Sequence, residues 1–209
     1  MLFLTISDTH GKHRLLKNLP KADAIIHAGD VSSSGSEHSV VDFMNWFSEL
    51  DYEYKIFIAG NHDFYFERES AAYLKKMIPA NLIYLNDSGV TINGINIWGS
   101  PITPWFYDWA FNRERGAEIN KHWKLIPKNT DILITHGPTA GILDLVNADR
   151  GVGCEDLLKR INSIKPKVHV FGHIHEAYGS EVSGYTKFIN ASILDEHYQI
   201  KNNPILFQL

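Results

Sequence analysis

Residues 55–63 read KIFIAGNHD, and the way this stretch stops is what decides the fold. The run 55–59 is short, apolar and isoleucine-rich. It ends abruptly in Gly60-Asn61-His62-Asp63, four turn-type residues in a row. A short run rich in β-branched residues and bounded by turn residues reads as a strand buried on both faces. The same layout recurs through the chain. Run 2–7 leads into Asp8-Thr9-His10, run 24–28 into Gly29-Asp30, run 131–135 into His136-Gly137-Pro138, and run 167–171 into Gly172-His173-Ile174-His175. Five apolar strands therefore finish on Asp, Asn or His, and four of the five carry a glycine at that point.

In α/β sheets, ligand sites form beyond the carboxyl ends of the strands, on loops held by a rigid base. A glycine there lets the backbone turn sharply and approach closely. If the five ends converge, they bring Asp8, His10, Asp30, Asn61, His62, His136, His173 and His175 to one pocket. Mixed imidazole, carboxylate and amide donors suit Mn, Fe, Zn, Ni or Co. There are more donors than one ion uses, and a carboxylate such as Asp30 can bridge two ions roughly 3.5–4 Å apart. Taken singly, Asp8-Thr9-His10 is an ordinary strand end and Gly29-Asp30 an ordinary turn; the five in sequence point to a metal site. His13, His27, His38, His122, His169 and His197 fall outside this layout and read as solvated or satisfied in the core, with His13 close enough to His10 to face the pocket.

The remainder of the chain reads as an α/β domain. Helical spacing is expected over 37–50, with Ser34 or Ser36 as cap, and over 68–77, 113–123 and 154–164. Further strands are expected at 94–100, 186–190 and, at an edge, 204–208. Around 83–100 strands follow one another without a helix, and Asn93-Gly94 is a hairpin signal. At 209 residues, with 44% hydrophobic and 21% charged residues, the chain is expected to form a single domain over 1–209. The net charge of −4 gives no basic excess for holding nucleic acid by its phosphates. Cys154 is the one cysteine, so no internal disulfide is possible. The start, MLFLTISDTHGK, reads as a strand rather than a signal peptide, and no apolar run is long enough to span a bilayer. A cytoplasmic location is expected.

As a set, Asp8-x-His10, Gly29-Asp30, Gly60-Asn61-His62-Asp63, Thr135-His136-Gly137 and Gly172-His173-x-His175 resemble the motifs of the calcineurin-like metallophosphoesterase superfamily, in the same order, over about residues 1–190. Gly99-Ser100-Pro101, Pro104-Trp105-Phe106 and Asn190-Ala-Ser192 extend the likeness to its metallophosphoesterase-domain-containing branch, related to class III cyclic-nucleotide phosphodiesterases. The resemblance implies a four-layer αββα sandwich of two mixed sheets, with two divalent metals, Mn or similar, at one edge. It implies that Asp8, His10 and His175 hold the first metal, that Asn61, His136 and His173 hold the second, and that Asp30 bridges them. It makes His62 the general acid or charge stabiliser over the phosphate, with Asp63 orienting it.

One departure bears on substrate. The protein phosphatases of the superfamily follow Gly-Asp with a stretch ending Asp-Arg-Gly, whose Arg grips a monoester. Here Val31-Ser32-Ser33-Ser34-Gly35 follows Asp30, with no Arg. The expected activity is therefore hydrolysis of small nucleotide or cyclic-nucleotide phosphodiesters by a hydroxide shared between the metals. The competing readings are a metal-binding scaffold with little turnover, and a phosphomonoesterase or nuclease of the same superfamily; the short chain and acidic balance argue against a long DNA groove. Trp105, Phe106, Tyr107, Trp109 and Phe111 form an aromatic cluster; Trp105 is a candidate for stacking on a base, and core packing is expected for at least half of the rings. Oligomeric state is left open.

Overall fold

The computed structural model describes residues 1–147 and 149–209. In chain order the strands are β1 (Leu2–Ile6), β2 (Ala24–His27), β3 (Tyr54–Phe57), β4 (Leu82–Tyr84), β5 (Ser88–Ile92), β6 (Ile95–Ser100), β7 (Thr103–Pro104), β8 (Asn112–Arg113), β9 (Ile132–Thr135), β10 (Leu145–Val146), β11 (Arg150–Gly151), β12 (Val168–Phe171), β13 (Gly179–Ser183), β14 (Thr186–Asn190) and β15 (Ile205–Gln208). The helices are α1 (Glu37–Glu49), α2 (Phe64–Arg68), α3 (Ala71–Met77), α4 (Ile119–Trp123) and α5 (Glu155–Ile164).

One sheet runs β15-β1-β2-β3-β4, parallel from β1 to β4 with β15 antiparallel at its edge. The other runs β13-β14-β12-β9-β6-β5, parallel through its four middle strands, with β13 and β5 antiparallel at the two edges. Side chains alternate across a strand, so each middle strand has two apolar faces to bury. Phe3, Ala24, Ile26 and Ile56 from the first sheet meet Ile97, Ile132, Ile134, Val168, Val170 and Ile189 from the second in one buried cluster. The neighbouring residues point the other way, toward helices. Leu4, Ile25 and Phe57 join Phe43 and Phe47 of α1, while Leu133, Phe171 and Phe188 join Trp123 of α4 and Leu157 and Ile161 of α5. The result is the expected αββα layering.

Local chemistry sets the element ends. Ser36 caps α1 by accepting the Ser39 N–H, and Cys154 Sγ accepts the Leu157 N–H at the start of α5. The β5–β6 hairpin turns on Asn93 and Gly94, both at positive φ (49° and 80°). Three expectations need correction. The helix expected over 68–77 begins late, as α3, because Glu69 and Ser70 are extended and Ser70 caps α3, while the unexpected α2 before it ends at Arg68. The helix expected over 113–123 is only α4. Strand β13, unexpected because four of its five residues are exposed and polar or isolated, forms by pairing with β14. Among the described residues, no helix is long and apolar enough to cross a membrane.

Candidate metal centre

The parallel strands β1, β2 and β3 and, in the facing sheet, β9 and β12 end at one edge of the sandwich. There the loops are stitched together by backbone bonds: Asp8 N–H to Gly29 O (3.0 Å), His10 N–H to Asp30 O (3.0 Å) and Gly172 N–H to His136 O (2.9 Å). A bridge between Ser7 and Ser192 ties the two sheets at this point. Every one of the strand-end residues singled out in the sequence comes to this place.

Asp8, His10 and His175 offer donor atoms within 4.8 Å of one another, and so do Asp30, His136 and His173. The two groups meet at Asp30, whose Oδ2 lies 3.3 Å from His136 Nε2 and 3.5 Å from His10 Nε2. Asn61 Oδ1 lies 2.9 Å from His136 Nε2, which places Asn61 with the second group. His175 Nε2 lies 3.6 Å from Asp8 Oδ1.

The supporting contacts aim these atoms inward. His136 Nδ1 lies 3.0 Å from the Ala28 carbonyl and His175 Nδ1 lies 2.9 Å from the Asp195 carbonyl. A carbonyl only accepts, so each Nδ1 carries its proton and each Nε2 is turned toward the cluster, as in metal-ligating histidines. Asp8 is held by the His173 N–H (3.0 Å) and the Ser192 hydroxyl (2.8 Å). Asp30 Oδ1 accepts the His62 N–H at 2.9 Å.

The electrostatics match a cation site. Burial opposes ionisation of Asp8 and Asp30, yet the surrounding imidazoles override it and hold both carboxyls well below the usual range. Burial likewise opposes charge on His136 and His175, and the adjacent carboxylates override it, raising each to about 9. Burial wins at His173, pushed down to about 4. Both ring nitrogens of His10 are buried and without a hydrogen-bond partner among the described residues. A buried polar atom without a partner is costly unless something else binds it. That orphaned ring, the shared carboxylate and the nitrogen–oxygen donor set fit two divalent cations.

His62 is set apart. Its Nδ1 lies 2.8 Å from the Ser33 carbonyl, so Nδ1–H donates there and Nε2 faces the cluster, 4.0 Å from Asp30 Oδ2. The expectation that Asp63 orients His62 is corrected by this geometry. Asp63 Oδ1 accepts the Ser32 N–H and hydroxyl, and its Oδ2 accepts the Val31 and Gly60 N–H groups. It laces the turn after β3 to the turn after β2, and a backbone carbonyl holds His62 instead. Burial and the nearby Asp30 raise the Asp63 carboxyl to about 6 despite those donors.

The glycines act differently from one another. A Cβ on Gly172 would lie 2.0 Å from Asp8 Oδ2, and one on Gly60 would lie 2.2 Å from Asp30 Oδ1, so both are needed for close approach. The sharp turns fall largely on the candidate ligands themselves: Asp8, His10, Asp30 and His173 all have positive φ, at 54°, 42°, 54° and 69°.

The remaining histidines lie outside the cluster. His27 and His169 are buried, bonded through Nε2 to the hydroxyls of Thr9 (3.0 Å) and Thr135 (2.7 Å). His13 pairs with Asp42 and packs on Trp46 rather than facing the pocket. His122 pairs with Asp87, and His38 and His197 are exposed. Among the aromatics, the core reading holds for Phe111. It fails for Trp105, Phe106 and Tyr107, which are 54%, 52% and 68% exposed. Trp105 and Phe106 wall a cavity of about 500 Å³ that also includes His173, Pro138, Arg115 and Glu176. Trp109 instead lies against His62, with ring centroids 4.1 Å apart.

Sequence reading assigned no place at this centre to Ser33 or to Tyr198, whose ring lies 5.0 Å from that of His10, and it pointed to Trp109 only within the aromatic cluster and to Ser192 only within the family likeness. Ser192 carried a signal, because run 186–190 leads into Asn190-Ala-Ser192 in the same strand-end layout. The Ser33, Ala28 and Asp195 contacts use backbone carbonyls, for which side-chain identity carries no signal.

Two facing sheets with a His, Asp and Asn cluster at their common edge define a protein with a candidate metal centre. Residues 1–177 match the family described as calcineurin-like phosphoesterase, and the chain belongs to it. Members hydrolyse phosphoesters with divalent metals. The chain is 42% identical to human metallophosphoesterase domain-containing protein 1 over 99% of its own length and 70% of that protein. It is 36% identical to a UPF0046 protein of Caenorhabditis elegans over 98% of its length and 73% of the relative. A crystal structure of a Thermus thermophilus protein shares the fold at a TM-score of 0.65 and 16% identity, covering 90% of this chain and 88% of the other.

Proposed function

We propose that this chain is a phosphodiesterase acting on small nucleotide or cyclic-nucleotide diesters, with Asp8, His10 and His175 holding one divalent metal, Asn61, His136 and His173 a second, and Asp30 shared. Mn is the favoured metal. The observation that carries the substrate choice is what lies after Asp30. Val31 and Ser32 are buried, their N–H groups are spent on Asp63, and the Ser33 carbonyl is spent on His62. None of residues 31–35 carries a cationic side chain to grip a monoester dianion.

When bound, the two cations supply charge for the phosphoryl oxygens and acidify a water for attack at neutral pH. The chain's own residues do the rest. The imidazoles of His136 and His175, each pinned through Nδ1, would hold the cations in place. His62, pinned through Nδ1–H, would as the imidazolium present Nε2–H to pass that proton to the departing oxygen or to stabilise its charge. The exposed Trp105 on the cavity wall offers a face for a base.

The test is a panel of aryl mono- and diesters and cyclic nucleotides, assayed with Mn, Ni, Zn and Mg. Diester turnover that depends on metal and exceeds monoester turnover is expected. Preferred monoester hydrolysis, or none at all in protein carrying two metals per chain, overturns the reading. His62→Ala is expected to keep both metals and lose about 10²- to 10⁴-fold in kcat; loss of metal along with activity would make His62 a ligand.

A further inference from the structure

We propose that Trp109 is a positioning residue that holds the His62 ring in its working orientation, an inference that rests on the phosphodiesterase reading above. His62 has one fixed atom: Nδ1, on the Ser33 carbonyl at 2.8 Å. A ring tethered at one nitrogen can still pivot about that bond, because χ2 of histidine is a broad, shallow torsion. Two contacts remove the pivot. His10 meets the ring edge-on at 4.7 Å, and Trp109 covers its face at 4.1 Å with the planes 32° apart. Trp109 has Phe64 beside it at 6.0 Å.

The loop that carries Trp109 is built to stay in place. It leaves and returns through the β7–β8 ladder, where Thr103 pairs with Asn112 and Pro104 with Arg113. Asn112 Nδ2 crosses the loop to donate to the Phe106 and Tyr107 carbonyls at 3.0 and 2.9 Å. The residue after Trp109 is fastened to the metal-centre turn itself, with Ala110 N–H on the Asn61 carbonyl at 3.1 Å. Phe111 N–H is fastened to Glu67 of α2 at 2.9 Å. Ligand Asn61, the following His62 and the indole that covers it are thus locked in one frame. A side chain meant only for substrate would need none of this.

The test compares Trp109→Ala, Trp109→Phe, His62→Ala and the His62→Ala/Trp109→Ala double variant. Trp109→Ala is expected to lower kcat roughly 10- to 100-fold, the scale of a small misplacement, with KM little changed and two metals still bound. Trp109→Phe restores most of the loss. The loss is expected to be steeper for an alkyl diester than for a p-nitrophenyl diester, whose leaving group needs less help. The double variant is expected to be no slower than His62→Ala. Independently of turnover, the NMR resonance of the His62 ring, displaced upfield by the indole ring current, moves to an ordinary position in Trp109→Ala and stays displaced in Trp109→Phe. The inference is overturned by unchanged kcat with raised KM, by losses that multiply in the double variant, or by a His62 resonance that ignores Trp109. Wild-type protein with no diester turnover sinks the catalytic reading instead, while an active enzyme indifferent to Trp109→Ala sinks only this one.

Discussion

A methyl group at position 172 would meet Asp8 Oδ2 at 2.0 Å, whereas one at position 137 meets nothing nearer than a Thr103 methyl at 3.5 Å. Both glycines sit beside a candidate ligand histidine, and nothing in the sequence separates them. The geometry does. The backbone at 172–173 must press against Asp8 so that the His173 N–H can reach its carboxylate. Gly172→Ala is therefore expected to push Asp8 out of place and abolish binding of at least one metal, while Gly137→Ala leaves the content at two per chain. Metal analysis of both variants, with circular dichroism to confirm folding, measures this; equal metal content would refute the close-approach argument. The same scale shows where strain is kept. Asp8, His10, Asp30 and His173 lie in the left-handed region that non-glycine residues avoid, at a cost on the order of 1 kcal/mol or more each. Hydrogen bonds around them hold the loops in that conformation.

At the scale of elements, the parallel strands were legible because each is a short apolar run cut off by polar turn residues, a signal local to the chain. Helices α1 and α5 were legible for the same reason: an apolar stripe preceded by a cap. Strand β13 was not, since its existence depends on a partner strand rather than on its own pattern. The α2–α3 break turned on Ser70 preferring to cap. Asp63 shows how elements are joined. It starts α2, yet its side chain reaches four donors, one on its own turn after β3 and three on the turn after β2. Asp63→Asn keeps the shape but replaces one accepting oxygen with a donating amide, leaving at least one buried N–H unpaired, because the Ser32 hydroxyl can turn to accept from the amide. A loss of about 1–3 kcal/mol in urea unfolding is expected, the scale of one unsatisfied group, together with weaker metal binding. Stability within about 0.5 kcal/mol of wild type would mean that the turns do not depend on this carboxylate.

At the scale of the whole molecule, the sandwich encloses histidines that never reach solvent. Burial pushes His27 and His169 down to about 3 from the usual 6.5. The Nδ1 of His169 is buried without a partner among the described residues, so a second proton there would find nothing to bond. A histidine whose folded pKa is depressed takes up its proton first in the unfolded chain. Its stability contribution is intact above about 6.5 and is lost as pH falls toward about 3. The melting temperature of chelated protein is expected to drop between about pH 6.5 and 4. His169→Leu, which preserves the apolar contacts with Phe171 and Phe188, should shrink the loss between about pH 7 and 5 by about 2 kcal/mol, at roughly 1.36 kcal/mol per pH unit over roughly 1.5 units. An identical acid limb in the variant would show that His169 does not titrate with folding.

The sequence by itself determined which residues could meet at the metal centre and in what chemical company, because five strands that end in the same residue types can share a site only where parallel strands finish together. It also determined the layered α/β class, through runs that alternate between two apolar faces. Only the tertiary structure decided how the side chains are placed: that Asp30 stands between the two candidate ligand groups, that Asp63 binds the turns at Val31, Ser32 and Gly60 rather than His62, that the Ser33 carbonyl bonds His62 and Trp109 lies over its ring, and that Gly172 and Gly60 leave no room for a methyl while Gly137 does. Those outcomes depend on distances between segments far apart in the chain and on backbone groups that every residue shares, and neither is written in the identity of a side chain.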